Sequence, residues 1–396
     1  MLQREACRAV PGLRGNVLQG GQKGTAVMIY HLCNFLIPLS DFFSFCRLVN
    51  YISFRAIVAA LTSVIFIFLF SRRFILFVHR RCLLDQVRET GVHSAFDKSG
   101  TPTMGGVLII GAVLFSMIVW GSWDSPFLLA SVGGMLWFGI LGFCDDFSKV
   151  KMRSGDKGLS ERAKLILQGL FAAAFAWFCV GPLAPLGPKL ATSLYVPFYK
   201  YPLMDLGPYL YGIFIFLFVI FVSNAVNITD GLDGLAITPA LFVAAVLGIF
   251  AYVEGNRIYS AYLYYPYLRG AGELTVFGAA FVGAGLGFLW YNAYPAQIFM
   301  GDTGSLAIGG TMAVMSVLLK QEMLFPLLGG LFIAEALTSQ IQDKIGVRWV
   351  GRRIFFRAPL HHDLQHKGIA ETKVVIRLWI VAGILALISL ATLKLR

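Results

Sequence analysis

An all-α, polytopic membrane fold of about ten transmembrane helices, with both termini external, is what this sequence predicts, and three features carry the prediction. Of 396 residues, 57% are hydrophobic and only 14% charged, too little polar surface to clothe a water-soluble chain of this size. Apolar runs recur, for instance at 104–120 and 374–393, and crossing about 30 Å of hydrocarbon takes roughly 20 residues of helix. Lys and Arg are abundant in alternate connections only, the pattern by which membrane proteins set their orientation.

Residues 1–27 are glycine-rich and basic (Arg4, Arg8, Arg14, Lys23) and lack the apolar stretch of a secretory signal. They read as a disordered extension, with translation expected to begin at Met28 and residues 28–396 forming one membrane domain. The stretch from Met28 to Asn50 is apolar but interrupted by Pro38, Asp41 and Arg47, which suits a position in the interface better than a span. Spans are expected at 55–77, 104–121, 126–144, 164–183, 209–226, 235–253, 274–291, 304–320, 324–342 and 374–393.

The first connection carries Arg72, Arg73, Arg80, Arg81, Arg88 and Lys98, the third Lys149, Lys151, Arg153, Lys157 and Arg162, and the ninth seven more between Lys344 and Lys373. Even-numbered connections hold only Lys189, Lys200, Arg257, Arg269 and Lys320. The odd connections are therefore expected in the cytoplasm. Connections 182–208 and 259–267, rich in proline and aromatic residues, read as interfacial anchors on the outer side. The net charge of +12 is spread over short loops and forms no continuous patch with interleaved aromatics, which argues against nucleic acid. The six cysteines lack paired spacing and suit buried thiols better than disulfides or a metal site.

Carboxylates at the edge of a span are costly to desolvate and mark function. Three clusters occur: Asp145 and Asp146 at the end of the third span, Asp230 and Asp233 in NAVNITDGLDGLA, and Asp302 in FMGDTGS. All belong to connections expected on one face. Adjacent carboxylates joined by a third from elsewhere hold Mg²⁺, which neutralises charge on a transferring phosphoryl group. The plainer alternative is that these acids cap helix ends or pair with Lys149 and its neighbours. In the same face, Lys98 and Thr103 stand at the start of the second span, where free amides favour anions. Connection nine carries APLHHDLQHK, with three of the six histidines; it lacks zinc spacing and suits phosphate binding, proton exchange or anionic lipid headgroups.

Taken together, TPTMGG, GFCDDFSK, NAVNITDGLDGLA, YPAQIFMGDTGSLA and APLHH resemble the polyprenyl-phosphate N-acetylhexosamine 1-phosphate transferases, over nearly the whole chain from Phe54 onward. Within that family the pattern is most similar to the muramoyl-pentapeptide branch. The resemblance implies transfer of phospho-N-acetylmuramoyl-pentapeptide from its uridine diphosphate donor to undecaprenyl phosphate, releasing UMP, with Mg²⁺ as cofactor. The implied setting is the bacterial inner membrane, with the active site on its cytoplasmic face and a homodimer as the assembly. It further implies Asp302, Asp145 and Asp146 as catalytic metal ligands, with Asp145 also orienting the lipid phosphate for direct attack, and His361 as a catalytic residue near the diphosphate. Lys98, Thr103, Asn227, Asp230, Asp233, Asn292, Phe299, Gly301, Ser305, Gln342 and His362 are the implied donor-binding set, with Phe299 stacking on uracil. One departure stands out: Asp363 occupies the place of a usual third histidine. Two other readings compete, a sister transferase using uridine diphosphate N-acetylglucosamine and a secondary transporter, although no internal repeat supports the second.

Overall fold

The computed structural model describes residues 47–81, 100–151, 158–182 and 184–395. The expected extension at 1–27, most of the interfacial stretch that follows it, and Lys98 lie outside these. In chain order the helices are α1 Ile52–Arg80, α2 Gly106–Trp120, α3 Pro126–Lys151, α4 Glu161–Val180, α5 Pro188–Thr192, α6 Gly207–Thr229, α7 Ile237–Glu254, α8 Arg257–Leu263, α9 Glu273–Asn292, α10 Gly301–Leu318, α11 Phe325–Leu328, α12 Gly330–Gln340, α13 Leu360–His366 and α14 Glu371–Ala391. Among the described residues, α1, α3, α4, α6, α7, α9 and α14 are the seven long and apolar enough to cross a membrane. The protein is an all-α polytopic membrane protein.

The remaining expected spans depart from that simple pattern for physical reasons. Helix α2 is apolar but shorter. Helix α10 is buried at every residue from Thr303 to Leu318, packed between α3, α6 and α2. Its neighbours are protein on all sides, so close contact by Gly, Ser and Thr matters more than an oily surface. The span expected at 324–342 divides at Gly329, whose Cα lies against the Phe325 ring and leaves no room for a side chain. Its second part, α12, runs on as a π-helix, Ile341–Trp349. In the outer connection at 182–208, the short α5 leads into a two-stranded antiparallel ribbon, with Ser193 opposite Asp205 and Leu194 opposite Met204, a feature absent from the all-helical expectation.

Helix α3 continues to Lys151, beyond the expected end at 144. Asp145 and Asp146 therefore sit on a helix and not in a loop. Gly142, one turn earlier, lets α3 meet the first turn of α10: a Cβ there would strike the Asp302 carbonyl oxygen. Around this central contact, α1 packs on α9 and α9 on α7, while α1 and α14 keep largely outward-facing surfaces. A separate small core of Leu232, Leu235, Leu331, Val374, Val375, Leu378 and Ala382 joins the loop after α6 to α12 and α14.

At the end of the bundle opposite the carboxylates, polar ties replace apolar contact. The Arg55 guanidinium grips Glu273 through two bonds of 2.6 and 2.8 Å, and the Ser122 amide donates to the same carboxylate at 3.0 Å. Lys320, counted in the sequence among the charges of the even-numbered connections, is buried. Its ammonium donates to the Tyr211 hydroxyl, which donates to Glu322 at 2.7 Å. Gln321 donates to Glu254 at 2.7 Å. Each such charge is tolerable only because a partner meets it.

The Arg55–Glu273 pair ties α1 to α9 and to the turn between α2 and α3. Arg55→Met should cost about 3–5 kcal/mol because it leaves a buried carboxylate alone, whereas Arg55→Met with Glu273→Met should recover most of that loss. Thermal unfolding in detergent of the two single variants and the double variant checks this; additive losses would contradict it.

Candidate active site

The carboxylates expected from separate segments converge. Asp145, Asp146 and Asp302 each offer an oxygen, and the three atoms lie within 4.8 Å of one another. Helix α3 supplies the first two from its last turns and α10 supplies the third from its first turn. No side chain of α10's own caps its N-terminus. Asp146 does this from α3: its oxygens accept from the Asp302 amide at 3.1 Å, the Thr303 amide at 2.9 Å and the Thr303 hydroxyl at 2.6 Å. Free amides of a helix start and a carboxylate attract each other through both hydrogen bonds and the helix dipole.

Asp145 and Asp302 face each other across two ammonium groups. Lys149 Nζ is 2.7 Å from Asp145 Oδ2 and 3.0 Å from Asp302 Oδ2, and Lys164 Nζ makes the same two contacts at 2.7 and 3.0 Å. The Leu159 amide donates to the other oxygen of Asp145 at 2.7 Å. From the sequence, Lys149 is read only for topology or as a pairing partner, and Lys164 is not singled out. A helix running one turn past residue 144 puts Lys149 four residues after Asp145 on the same face, and that is the signal which could have found it. Lys164, at the edge of an expected span, gave no comparable hint.

The donor set is wholly oxygen and carboxylate, and two cations already gather in its centre. The first fact fits a hard divalent cation, with Asp145, Asp302 and the remaining capacity of Asp146 as the residues that would hold it.

From the carboxylates the site extends along two loops. Asn227 donates through its one amide nitrogen to Asp302 Oδ1 at 3.0 Å and to the Ser305 hydroxyl at 2.8 Å, and Ser305 in turn donates to the Gly301 carbonyl at 3.0 Å. Thr103 packs beside Gly301, on a strand-like stretch joined to 299–300 by three main-chain bonds: Phe299 N to Pro102 O, Gly105 N to Phe299 O and Gly106 N to Met300 O, at 2.8, 2.8 and 2.9 Å. Phe299 is half-buried there. Asn292 joins the loops, accepting from the Gly234 amide at 3.1 Å and donating to the Ile298 carbonyl at 2.9 Å, while Asp233 accepts from the Ala296 amide at 3.1 Å. Burial, reinforced by Asp302, Asp146 and Asp233, holds the Asp230 carboxyl well above the usual carboxylate range.

Connection nine meets this region through α13. His361 is buried, with its Nδ1 3.0 Å from Glu335 Oε2 on α12 and its Nε2 against Gly231. The His362 ring lies 4.3 Å from that of His361; burial and the neighbouring imidazole lower its pKa from the ordinary histidine value. Asp363 is a structural residue here. Burial would raise its pKa, but the Lys367 ammonium at 2.6 Å and the Arg357 amide hold it below the usual carboxylate range. Gln342 is brought elsewhere: it bonds the main chain at Ile354 and Phe355, at 3.0 to 3.2 Å, and makes no hydrogen bond to the carboxylate cluster among the described residues. Glu335 carried a signal that the sequence reading passed over, an acid inside an apolar run.

Comparison with known proteins places this geometry in a lineage. Residues 128–320 match the family described as Glycosyl transferase family 4, and residues 98–110 match the Phospho-N-acetylmuramoyl-pentapeptide-transferase signature 1. The chain is 42% identical over 369 residues to a phospho-N-acetylmuramoyl-pentapeptide-transferase of Citrifermentans bemidjiense, covering 93% of this chain and 100% of that one. It is 45% identical over 363 residues to a protein of the same name from a Ruegeria species, covering 91% and 99% of the two chains. By identity sustained over nearly the full length of both relatives, this chain belongs to the phospho-N-acetylmuramoyl-pentapeptide-transferase family.

Proposed function

We propose that this protein transfers phospho-N-acetylmuramoyl-pentapeptide from its uridine diphosphate donor to undecaprenyl phosphate, with Mg²⁺, at the cytoplasmic face of the bacterial inner membrane. The observation that carries the reading is the meeting of Asp145 and Asp302, from two helix ends, around a pair of lysine ammonium groups, in a chain of this family. A phosphate oxygen of the lipid attacks the sugar-bound phosphorus of the donor. The bond from that phosphorus to the bridging oxygen breaks, and UMP leaves with the electron pair. One phosphoanhydride is lost and one gained, so positioning and charge neutralisation supply the catalysis.

Mg²⁺ bound among the carboxylates would screen the charge of the diphosphate. The chain's own groups do the rest. Asp146 keeps α3 and α10 in register, so Asp145 and Asp302 keep their spacing. Lys149 and Lys164 bring positive charge to the edge where two phosphates must approach each other. Asn227 and Ser305 hold Asp302 from behind. The loops with Thr103, Asp230, Asp233, Asn292, Phe299 and Gly301 form the wall proposed for the nucleotide: a half-exposed aromatic face beside directional polar groups suits a base and a ribose. Lys98 and His362 are assigned to the phosphate side. Gln342, bonded to the loop at 354–355, is assigned to shaping that loop beside the donor.

Incubating purified protein with undecaprenyl phosphate and either uridine diphosphate N-acetylmuramoyl-pentapeptide or uridine diphosphate N-acetylglucosamine, and measuring UMP released, tests the assignment. Release from the muramoyl donor alone is expected; release from the glucosamine donor alone would transfer the protein to the sister activity, and release from neither would refute the transferase reading.

Asp302→Asn keeps the shape of the side chain and removes one charge from the centre of the site. Turnover should fall about a hundredfold or more, with thermal unfolding little changed because Asp146 still caps α10. A rate close to that of the unaltered protein at limiting Mg²⁺ would contradict the assigned role.

A further inference from the structure

Helix α12 carries a carboxylate with no exposed surface, Glu335, in a segment where an unpaired charge would be very costly. Its only hydrogen bonds among the described residues run to His361, and both end on one oxygen: Oε2 accepts from the His361 main-chain amide at 3.3 Å and lies 3.0 Å from Nδ1 of the ring. Oε2 already accepts from the main-chain amide, and if it accepts from the ring as well the proton of that contact sits on Nδ1. In the neutral imidazole the other ring nitrogen, Nε2, then carries the lone pair. Nε2 is buried and has no hydrogen-bond partner among the described residues, and it points at Gly231, where any Cβ would collide with it. Gly231 lies between Asp230 and Asp233, in the loop assigned to the donor.

The second core gives this arrangement its rigidity. Leu331, one turn before Glu335, packs with Leu232 and Leu235 of the same loop, and Leu360 and Leu364 on either side of His361 pack on that core. Carboxylate, imidazole and loop are thus held by one apolar cluster, and the orientation of Nε2 is not left to a mobile connection. A carboxylate behind a functional histidine sets its tautomer and aim without touching the substrate.

We propose that Glu335 is a positioning residue: it holds the His361 ring in the Nδ1–H tautomer and presents Nε2 to the diphosphate side of a donor bound against the loop at Gly231. The proposal deepens the transferase reading above and rests on it.

Two measurements test it, one needing no substrate. In protein labelled with ¹⁵N-histidine in lipid, the His361 signals, identified by their loss in His361→Ala, should show a protonated Nδ1 and a bare Nε2, and Glu335→Met, which removes the acceptor, should abolish that signature. In the UMP-release assay Glu335→Gln should lower kcat roughly tenfold to a hundredfold, as loss of such a partner does, with KM for both substrates within about twofold. Placed on His361→Ala, the same substitution should cost nothing more, because its action runs through the ring. Should Glu335→Gln fold poorly, Glu335→Met replaces it, since an apolar side chain is tolerated at a buried charge site better than a broken pair. The proposal is overturned by a protonated Nε2, by an unchanged kcat, by a loss confined to KM, or by an equal loss with and without His361. If the unaltered protein releases no UMP, the transferase reading fails, while the tautomer measurement still judges the Glu335–His361 contact by itself.

Discussion

Three hydrogen bonds from the start of α10 to Asp146 decide where everything else in the site stands. They join the last turn of one helix to the first turn of another, and Gly142 permits the approach by leaving its side-chain space to the Asp302 carbonyl. With the two helix ends locked, Asp145 and Asp302 are brought face to face without being part of the lock themselves. The like charges thus gathered would repel, and Lys149 and Lys164 offset that repulsion from the same side. Structural and chemical duties are divided between adjacent residues: Asp146 gives most of its capacity to the backbone, and Asp145 keeps its oxygens for cations and one amide.

Helix capping and lysine pairing were the alternative to a metal site, and both occur. They occur as the scaffold of the cluster, since a cap supplied across two helices is what holds three carboxylates within reach of one ion. Local sequence could suggest either duty for any single Asp. Only the tertiary contact shows that neighbouring residues take one each.

Much of this was legible beforehand because membrane insertion imposes a strong one-dimensional pattern on sequence. The seven long spans, the grouping of acids at one end and the loop at 227–234 could be read from apolar runs, basic loops and Gly-Asp context. What escaped reading depends on contacts distant in sequence. The span expected at 304–320 is α10, but its burial on every side, from Thr303 to Leu318, shows only in the packing. Lys320, a connection charge in the sequence, is enclosed with Tyr211 and Glu322. Lys164 needed the position of α3 before its role could be seen, and Gln342 needed the course of the chain at 354–355. Asp363 proves to be a buried tie between Lys367 and the Arg357 amide.

The enclosure of α10 bears on how the protein lives in bilayers of differing thickness. Mismatch between hydrocarbon depth and helix length is relieved by tilting or by snorkelling of whatever touches lipid, and here that burden falls on the outer helices, α1 and α14 foremost. The inner rod, tied to its surroundings at both ends by buried polar contacts, does not share the adjustment. The plane of the carboxylate cluster is therefore set by protein packing and keeps its depth while the rim accommodates the membrane.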